Sequence, residues 1–175
     1  HMVVALFPDA EGSAVVEELK ARLYEGLDYR LELKTQELFR SLWQGHPLIR
    51  VPETYPHCSA SRVLCQAYAD GLSFYDFLNI ATTEEKELAT FVLNDFVFDS
   101  MHRFQVFNGD PHPGNYLFHT DGSITFLDFG CVKYFDGSFL RQVRRLNTAI
   151  TVEDYDTFEA TIRDLGIVLP GKDLD

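Results

Sequence analysis

Three residues with oxygen-bearing side chains, Asp110, Asn115 and Asp128, combine residue types and spacing that suit one kind of chemistry. Asp110 and Asn115 bound a short segment that contains two prolines, and Asp128 is followed directly by Phe and Gly. Transfer of a phosphoryl group needs one carboxylate near the acceptor hydroxyl, and further oxygen ligands that hold a metal ion against the phosphates. Carboxylate and amide oxygens are hard ligands of the kind that Mg²⁺ prefers. The three residues therefore predict a phosphoryl-transfer site.

The chain between Asn115 and Asp128 predicts a β-hairpin that brings these two residues together. Two short apolar runs flank the sequence Thr-Asp-Gly-Ser at residues 120–123, which is typical of a hairpin turn. In the alternative interpretation, the aspartates only cap turns and Asn115 only ends a loop. An Asp and an Asn separated by four residues, then a hairpin and Asp-Phe-Gly, match the catalytic and metal loops of protein kinases. This match favours the catalytic interpretation.

His112, inside the same loop, also has two interpretations. An imidazole titrates near neutral pH, which suits a general base. A base must lie within hydrogen-bonding reach of the acceptor, and nothing in the motif requires that of His112. We therefore favour a structural role, in which His112 holds the loop by a hydrogen bond.

The segments before the loop must position these residues, and the first of them is a predicted helix. Apolar residues recur at helical spacing from Ala14, which Ser13 caps, to about Leu42. On such a helix Asp28 and Glu32 are four residues apart and share one face.

The remaining elements complete an α+β arrangement. Two extended runs, residues 48–51 and 62–67, are predicted to be neighbouring strands. A short helix over residues 72–78 precedes a long helix that starts with a capping box at Thr82. After the hairpin the chain is predicted to be helical, with Thr151 as the cap of the last helix.

Together these segments resemble the UbiB family, the atypical kinases associated with ubiquinone biosynthesis. The most specific similarity is the loop from Asp110 to Asn115, together with Leu-Asp-Phe-Gly at residues 127–130. Four further segments are similar to the family's helix motif, its next strands and its hinge: residues 27–32, 51–55, 62–64 and 67–71. The similarity covers roughly residues 15–150 and implies a protein-kinase-like fold that binds ATP and Mg²⁺.

The resemblance implies a role for each matching residue of the loop and the hairpin. Asp110 matches the catalytic-loop aspartate, which acts on the acceptor hydroxyl. Asn115 and Asp128 match the two metal ligands. The cofactors implied are ATP and Mg²⁺, and the implied activity is that of an ATPase or a small-molecule kinase linked to isoprenoid lipids.

The resemblance also assigns nucleotide-binding roles before the loop. Glu32 matches the glutamate of the kinase C helix, which pairs with a strand lysine that holds the phosphates. Asp28 belongs to the family's acidic helix motif, although Gly26 stands where that motif has a glutamate. Ala67 and Tyr68 match the hinge that contacts adenine.

The resemblance divides the chain at residue 71. Residues 1–71 are expected to be a remnant of the N-lobe with the C helix, two strands and the hinge, and residues 72–175 to be a mainly helical C-lobe with the catalytic hairpin. The nucleotide loop, the strand lysine and the family's Lys-Gly-Gln extension should precede Ala14, and none is found there. We therefore expect a truncated fragment that is weakly active or inactive alone. Its uncovered N-lobe face is expected to mediate self-association.

Composition narrows the partners and the location. The formal net charge of −12 and a pI near 4.8 disfavour binding to nucleic acid. The three cysteines form no Cys-x-x-Cys pair, which favours reduced thiols in a cytoplasmic protein. No apolar stretch is long enough to span a bilayer, so any membrane association is expected to come from the rest of a longer parent protein.

Three functions are consistent with these observations. The first is an ATP- and Mg²⁺-dependent UbiB-like kinase or ATPase that acts on a small-molecule or lipid-related acceptor; the absence of Ala-Pro-Glu after Asp128 disfavours a peptide acceptor. The second is a phosphotransferase of the aminoglycoside or choline kinase kind, although Asn108 stands where those enzymes usually have His. The third is a non-catalytic, nucleotide-binding pseudokinase.

Overall fold

The computed structural model describes residues 28–167. These residues form two compact units, one of residues 28–96 and 108–132 and the other of residues 97–107 and 133–167. The helices are α1 (Tyr29–Leu42), α2 (Phe74–Ile80), α3 (Thr83–His102), α4 (Gly137–Thr151) and α5 (Tyr155–Asp164). The strands are β1 (Ile49–Arg50), β2 (Val106–Asn108), β3 (Tyr116–Phe118), β4 (Ile124–Phe126) and β5 (Val132–Tyr134). The predicted α+β class is confirmed.

Helix α1 begins later than the sequence predicts. Asp28 has extended backbone angles, φ −113° and ψ 94°, and its carboxylate accepts a hydrogen bond from the Arg30 backbone N–H at 3.1 Å. Asp28 is therefore the N-cap and not an interior helical residue. The prediction of one unbroken helix through this position is wrong, as is the prediction that Asp28 and Glu32 share a helix face. Ser13, Ala14 and Gly26 lie outside the described residues.

The prediction of two neighbouring strands before the loop is also wrong. Strand β1 pairs in parallel with β4, with Ile49 opposite Ile124. Residues 62–67 make only isolated bridges, which join Thr54 to Gln66 and Ala60 to Val63. Pro52 has no N–H to donate to a ladder, so the strand that contains β1 ends before it can pair further.

The predicted hairpin is confirmed, and it supplies two strands of the larger sheet, whose strand order is β1-β4-β3. Strands β3 and β4 are antiparallel, with Tyr116 opposite Phe126. In the turn, the Asp121 carboxylate accepts hydrogen bonds from the backbone N–H and the hydroxyl of Ser123 at 3.0 and 2.6 Å. Gly122 has φ +81°, a left-handed conformation that favours glycine. The turn residues therefore set the hairpin register locally.

An aromatic core fixes this hairpin against two helices of the first unit. The Phe126 ring of β4 stacks on Phe96 of α3 with centroids 3.7 Å apart. Phe39 of α1 lies 5.6 Å from Phe96 and 5.0 Å from Phe129, and all four rings are buried. Buried aromatic rings of this size contribute much of a small core's stability, so the loop after β4 is anchored to α1.

Of two predicted helix caps within the described residues, the one predicted for α3 is observed and the one predicted for the last helix is not. At the start of α3, the Thr82 hydroxyl accepts from the Glu85 N–H at 3.2 Å and the Glu85 carboxylate accepts from the Thr82 N–H at 2.8 Å. This reciprocal pair confirms the predicted capping box. In the second unit, Asp154 and not Thr151 caps α5, because its carboxylate accepts from the Thr157 N–H at 3.0 Å. Thr151 is the last residue of α4.

Candidate phosphoryl-transfer site

A rigid turn shapes the loop between Asp110 and Asn115. Residues Pro113–Asn115 form a single 3₁₀ turn, and His112 is its N-cap. The His112 Nδ1 atom accepts a hydrogen bond from the Gly114 N–H at 3.0 Å, and the His112 carbonyl accepts from the Asn115 N–H at 2.9 Å. The predicted hydrogen bond by which His112 holds the loop is confirmed. A Cβ atom at Gly114 would lie 2.9 Å from His112 Nδ1, so a larger residue there would force the His112 ring to shift.

The turn brings the two ends of the loop into contact. The Asn115 side-chain amide nitrogen lies 3.4 Å from the Asp110 carboxylate and 3.4 Å from the Asp110 carbonyl oxygen. Because the amide nitrogen faces Asp110, the amide oxygen is the atom of Asn115 that would ligate a metal ion.

The hairpin places Asp128 next to this pair. The Leu127 N–H donates to the Asn115 carbonyl at 3.0 Å. The residue before Asp128 is therefore hydrogen-bonded to Asn115, the other predicted metal ligand. The Asp128 carboxylate also accepts a hydrogen bond from the Gly130 N–H at 2.9 Å. The structure therefore brings the three predicted residues to one end of the hairpin.

Asn108 is part of this site, although the sequence did not single it out as functional. Its side-chain nitrogen donates to the Asp128 carbonyl at 2.6 Å, and its side-chain oxygen accepts from the Asp110 N–H at 3.3 Å. One buried amide thus joins the loop that begins at Asp110 to the Asp-Phe-Gly segment. The bond to Asp110 has the two-residue spacing of an Asx turn, which is a local signal, but the bond to Asp128 spans twenty residues and has none.

Glu32 lies on the α1 side of the same site. A Cβ atom built on Gly130 would be 3.3 Å from the Asp128 carboxylate and 3.4 Å from the Glu32 carboxylate, so both acidic groups approach this glycine. Burial raises the pKa of Glu32, and the negative charge of Asp128 raises it further. A hydrogen bond from the Phe129 backbone N–H lowers the pKa in part. A cation beside these two carboxylates would relieve their repulsion.

Asp28 is engaged elsewhere. Its carboxylate forms an ion pair with Arg30 at 3.0 Å in addition to capping α1. Hydrogen bonds from Arg30 lower the pKa of Asp28. In the described part of the chain, the structure does not bring Asp28 together with Asp110, Asn115 and Asp128.

Ala67 and Tyr68, the predicted hinge residues, line a separate open cavity. The Ala67 N–H donates to the Glu53 carbonyl at 2.7 Å, and the Tyr68 side chain is 93% exposed. The cavity has a volume of about 240 Å³ and is lined by these residues and by Arg50, Val51, Pro52, Ala69, Asp70, His119 and Thr125. Its lining contains none of the three residues of the hairpin site.

The donor set suits one kind of metal ion. Within residues 28–167, no group of three or more His, Cys, Asp or Glu side chains is arranged to hold a metal. Asn115 and Asp128 supply hard oxygen atoms, and Mg²⁺ commonly completes its coordination with phosphate oxygens and water. The residues present therefore fit a Mg²⁺ ion that binds together with a nucleotide, rather than an ion bound by protein ligands alone.

Comparison with models of known protein families shows to which family the chain belongs. The model of the ABC1 atypical kinase-like domain matches residues 1–161. The chain belongs to this family. The family includes the UbiB and aarF proteins, so the resemblance seen in the sequence is confirmed.

Individual relatives support the assignment. The chain is 33% identical over 125 residues to the chloroplastic protein Activity of bc1 complex kinase 1 of Arabidopsis thaliana, which covers 67% of the chain and 17% of the relative. It is 30% identical over 131 residues to an uncharacterized, chloroplastic aarF domain-containing protein kinase of the same plant, covering 75% of the chain and 17% of that relative. The chain thus spans about a fifth of the length of the curated relatives that it matches.

A solved structure supports the fold. The complex of Rv3197 with erythromycin from Mycobacterium tuberculosis superposes with a TM-score of 0.82 at 30% identity, covering 98% of the chain and 43% of that protein. The predicted kinase-like fold is confirmed by this similarity. None of the helices within residues 28–167 is both long and apolar enough to cross a membrane.

Proposed function

We propose that the chain carries the metal- and phosphate-binding part of an ATP- and Mg²⁺-dependent atypical kinase or ATPase. The observation that carries this proposal is the convergence of Asp110, Asn115 and Asp128 at one end of the hairpin, with Asn108 hydrogen-bonded to both aspartates. Membership of the ABC1 family supports it.

Each residue of the site has a distinct proposed role. Asp110 orients or deprotonates the acceptor hydroxyl, or the water in an ATPase. Asn115 and Asp128 hold Mg²⁺ through their side-chain oxygens, and the metal supplies charge neutralisation at the phosphates when it is bound. Glu32 pairs with a cationic side chain that holds the phosphates. Its half-buried carboxylate lies beside the negative charge of Asp128, so a cation there would be favoured. This negative pair also favours the metal-bound state.

The adenine is proposed to bind at the hinge. Ala67 and Tyr68 resemble the family segment that contacts the base through its backbone, and the exposed Tyr68 leaves that segment accessible to a ligand. Asp28 belongs to the same resemblance, but its ion pair with Arg30 must open before it can act at the nucleotide.

The acceptor is proposed to be a small molecule or a lipid-related compound. Rv3197, the structural relative, was solved with erythromycin, which is a small molecule. A link to ubiquinone biosynthesis rests on the family resemblance alone. The match to the ABC1 family favours this reading over a phosphotransferase of the aminoglycoside or choline kinase kind.

The cellular location of the protein and its self-association are predictions. We propose a cytoplasmic location, with membrane association of a longer parent protein as the alternative, and we note that two Arabidopsis relatives are named as chloroplastic. Self-association through the N-lobe face is tested by light scattering after size-exclusion chromatography. A monomer at high protein concentration would contradict it.

Calorimetric titration with ATP or ADP, with and without Mg²⁺, tests the proposed function. The parent chain is expected to bind the nucleotide more tightly with Mg²⁺, and Asp128→Asn is expected to lose that metal-dependent gain. Asp110→Asn should retain binding, because Asp110 acts on the acceptor. Asp156→Asn, an exposed change on α5, is the matched control. Equal metal-dependent binding by the parent and by Asp128→Asn would refute the proposal.

The same variants separate a kinase or ATPase from a pseudokinase. Phosphate release from ATP that is lost in Asp110→Asn, while nucleotide binding is retained, is expected of an enzyme. Binding without any release is also expected of a truncated kinase, so the assay is repeated on a chain extended at the N-terminus. Binding without release by that longer chain as well would favour the non-catalytic alternative.

A further inference from the structure

The hydroxyl group of Thr35, on α1, makes a contact that an ordinary helical threonine does not make. A threonine inside a helix usually donates to a carbonyl of the preceding turn, as Thr90 does to the Lys86 carbonyl at 2.8 Å. The Thr35 hydroxyl lies 2.9 and 3.2 Å from the carbonyls of Glu32 and Leu31, but its shortest contact, at 2.7 Å, is to the Phe129 carbonyl. Because a hydroxyl donates one hydrogen, the shortest contact indicates its main acceptor.

This contact completes a set of three interactions between α1 and Phe129. Thr35 donates to the Phe129 carbonyl at 2.7 Å, and the Phe129 N–H lies near enough to the Glu32 carboxylate to lower the pKa of that group. The Phe129 ring is fully buried and lies 5.0 Å from the ring of Phe39. These three residues of α1 are spaced by three and four positions, so they share one helix face. The carbonyl and the ring of Phe129 thus both contact a single helix.

The Phe129 carbonyl and the Gly130 N–H belong to one peptide group, and that N–H donates to the Asp128 carboxylate at 2.9 Å, so this peptide group helps to orient the Asp128 side chain. Asp128 is held on the opposite side by Asn108, which binds its carbonyl. A loss of the Thr35 contact would free the peptide that follows Phe129, and the Asp128 carboxylate would then sample more orientations. A ligand that must adopt one orientation binds more weakly when it is less preorganised.

We propose that Thr35 is a positioning residue that ties α1 to the Asp-Phe-Gly segment and thereby sets the affinity of Asp128 for the metal ion. Thr35 does not touch the metal in this account; its hydroxyl acts only through the Phe129 carbonyl. The inference rests on the proposed function insofar as it takes Asp128 to be a metal ligand.

Thr35→Val tests the proposal, because it keeps the size and branching of the side chain and removes the hydroxyl. Thr90→Val is the matched control, since that hydroxyl binds only within its own helix. Thr35→Ser restores the hydroxyl. The apparent Mg²⁺ affinity in the presence of ADP is expected to fall about threefold to tenfold in Thr35→Val, the factor for one ordinary hydrogen bond. Thr35→Ser and Thr90→Val should stay within about twofold of the parent.

Hydrogen exchange of the peptide that covers residues 128–131 provides a readout that does not depend on nucleotide. Exchange there is expected to accelerate in Thr35→Val and to return towards the parent rate in Thr35→Ser, while Thr90→Val leaves it unchanged. If Thr35→Val fails to fold by circular dichroism, Thr35→Ala provides a second variant without the hydroxyl.

The two readouts distinguish failure of this inference from failure of the proposed function. If the parent binds nucleotide without any Mg²⁺ dependence, the proposed function fails, and exchange at residues 128–131 alone decides whether Thr35 holds the segment. Unchanged exchange in Thr35→Val overturns the inference in either case. Accelerated exchange with an unchanged Mg²⁺ affinity, in a chain that does bind Mg²⁺ with nucleotide, also overturns it.

Discussion

Replacement of Asn108 by alanine should destabilise the first unit, because this one side chain joins two segments of the site. The change removes the donor to the Asp128 carbonyl at 2.6 Å and the acceptor for the Asp110 N–H at 3.3 Å. A buried polar group that loses its partner costs about 1–3 kcal/mol. Both contacts are only partly buried and the second is long, so the low end applies. At about 1 kcal/mol for each of the two groups, we expect a loss of about 2 kcal/mol in the free energy of unfolding.

Urea denaturation followed by tryptophan fluorescence measures this loss, since Trp43 lies in the first unit, against the Phe96 ring. Asn94→Ala, at an exposed position on α3, is the matched control and should change stability by less than about 0.5 kcal/mol. Asn108→Asp keeps an acceptor for the Asp110 N–H but sets a carboxylate against the Asp128 carbonyl. It should therefore be at least as unstable as Asn108→Ala at neutral pH. A loss below about 0.5 kcal/mol in Asn108→Ala would refute the reasoning.

Three further predictions concern the surroundings of the site and one helix cap. Because burial and the Asp128 charge raise the folded-state pKa of Glu32 above its ordinary value of 4.5, stability falls as pH rises from that value through the folded pKa. Glu32→Gln should therefore stabilise the fold at pH 7 and lose this advantage below pH 4.5. Urea denaturation of the parent and the variant at both pH values checks this, and an equal difference between their midpoints at the two pH values would contradict it. Gly114→Ala should cost about 1–3 kcal/mol in urea denaturation, because its Cβ would displace the His112 ring, and no loss would mean that the ring moves freely. Thr82→Ala should cost about 1 kcal/mol through loss of the capping box, whereas Thr83→Ala, the control on the neighbouring residue, should cost less.

The parts of the site that could be predicted from the sequence are those that local interactions determine. The turn at Asp121 and Gly122 sets the register of the hairpin within a few residues, and that register returns Asp128 to Asn115. The role of His112 is equally local, since its ring binds the N–H two residues later. Such contacts depend on residue type and spacing, both of which the sequence displays.

The parts that could not be predicted depend on partners that are distant in the chain. Strand β1 was assigned to the wrong neighbour because its partner β4 is about 75 residues away, and a short apolar run carries no information about which strand it joins. The contacts of Asn108 and Thr35 with the Asp-Phe-Gly segment span 20 and 94 residues. Only the folded core, in which Phe39 and Phe129 meet, brings these groups together.

The start of α1 shows a different limit. Asp28 suits both an acidic position inside a helix and the N-cap, and the apolar periodicity on both sides favoured the first interpretation. Its carboxylate instead accepts the Arg30 N–H, which is typical of a cap. The same ambiguity affected α5, where Thr151 and Asp154 both suit a cap and Asp154 makes the hydrogen bond. Which of several nearby residues becomes the helix cap depends on tertiary packing, and residue propensities carry no information about that packing.

The central claim is that Asn115 and Asp128 hold a divalent metal ion together with a nucleotide. Mn²⁺ prefers the same oxygen ligands as Mg²⁺ and gives an electron paramagnetic resonance signal that reports how much of the ion is bound. With ADP present, the parent chain is expected to bind Mn²⁺ beyond what ADP alone binds, and Asp128→Asn and Asn115→Ala are each expected to lose that excess while Asp156→Asn keeps it. Equal Mn²⁺ binding by the parent and by Asp128→Asn would contradict the account.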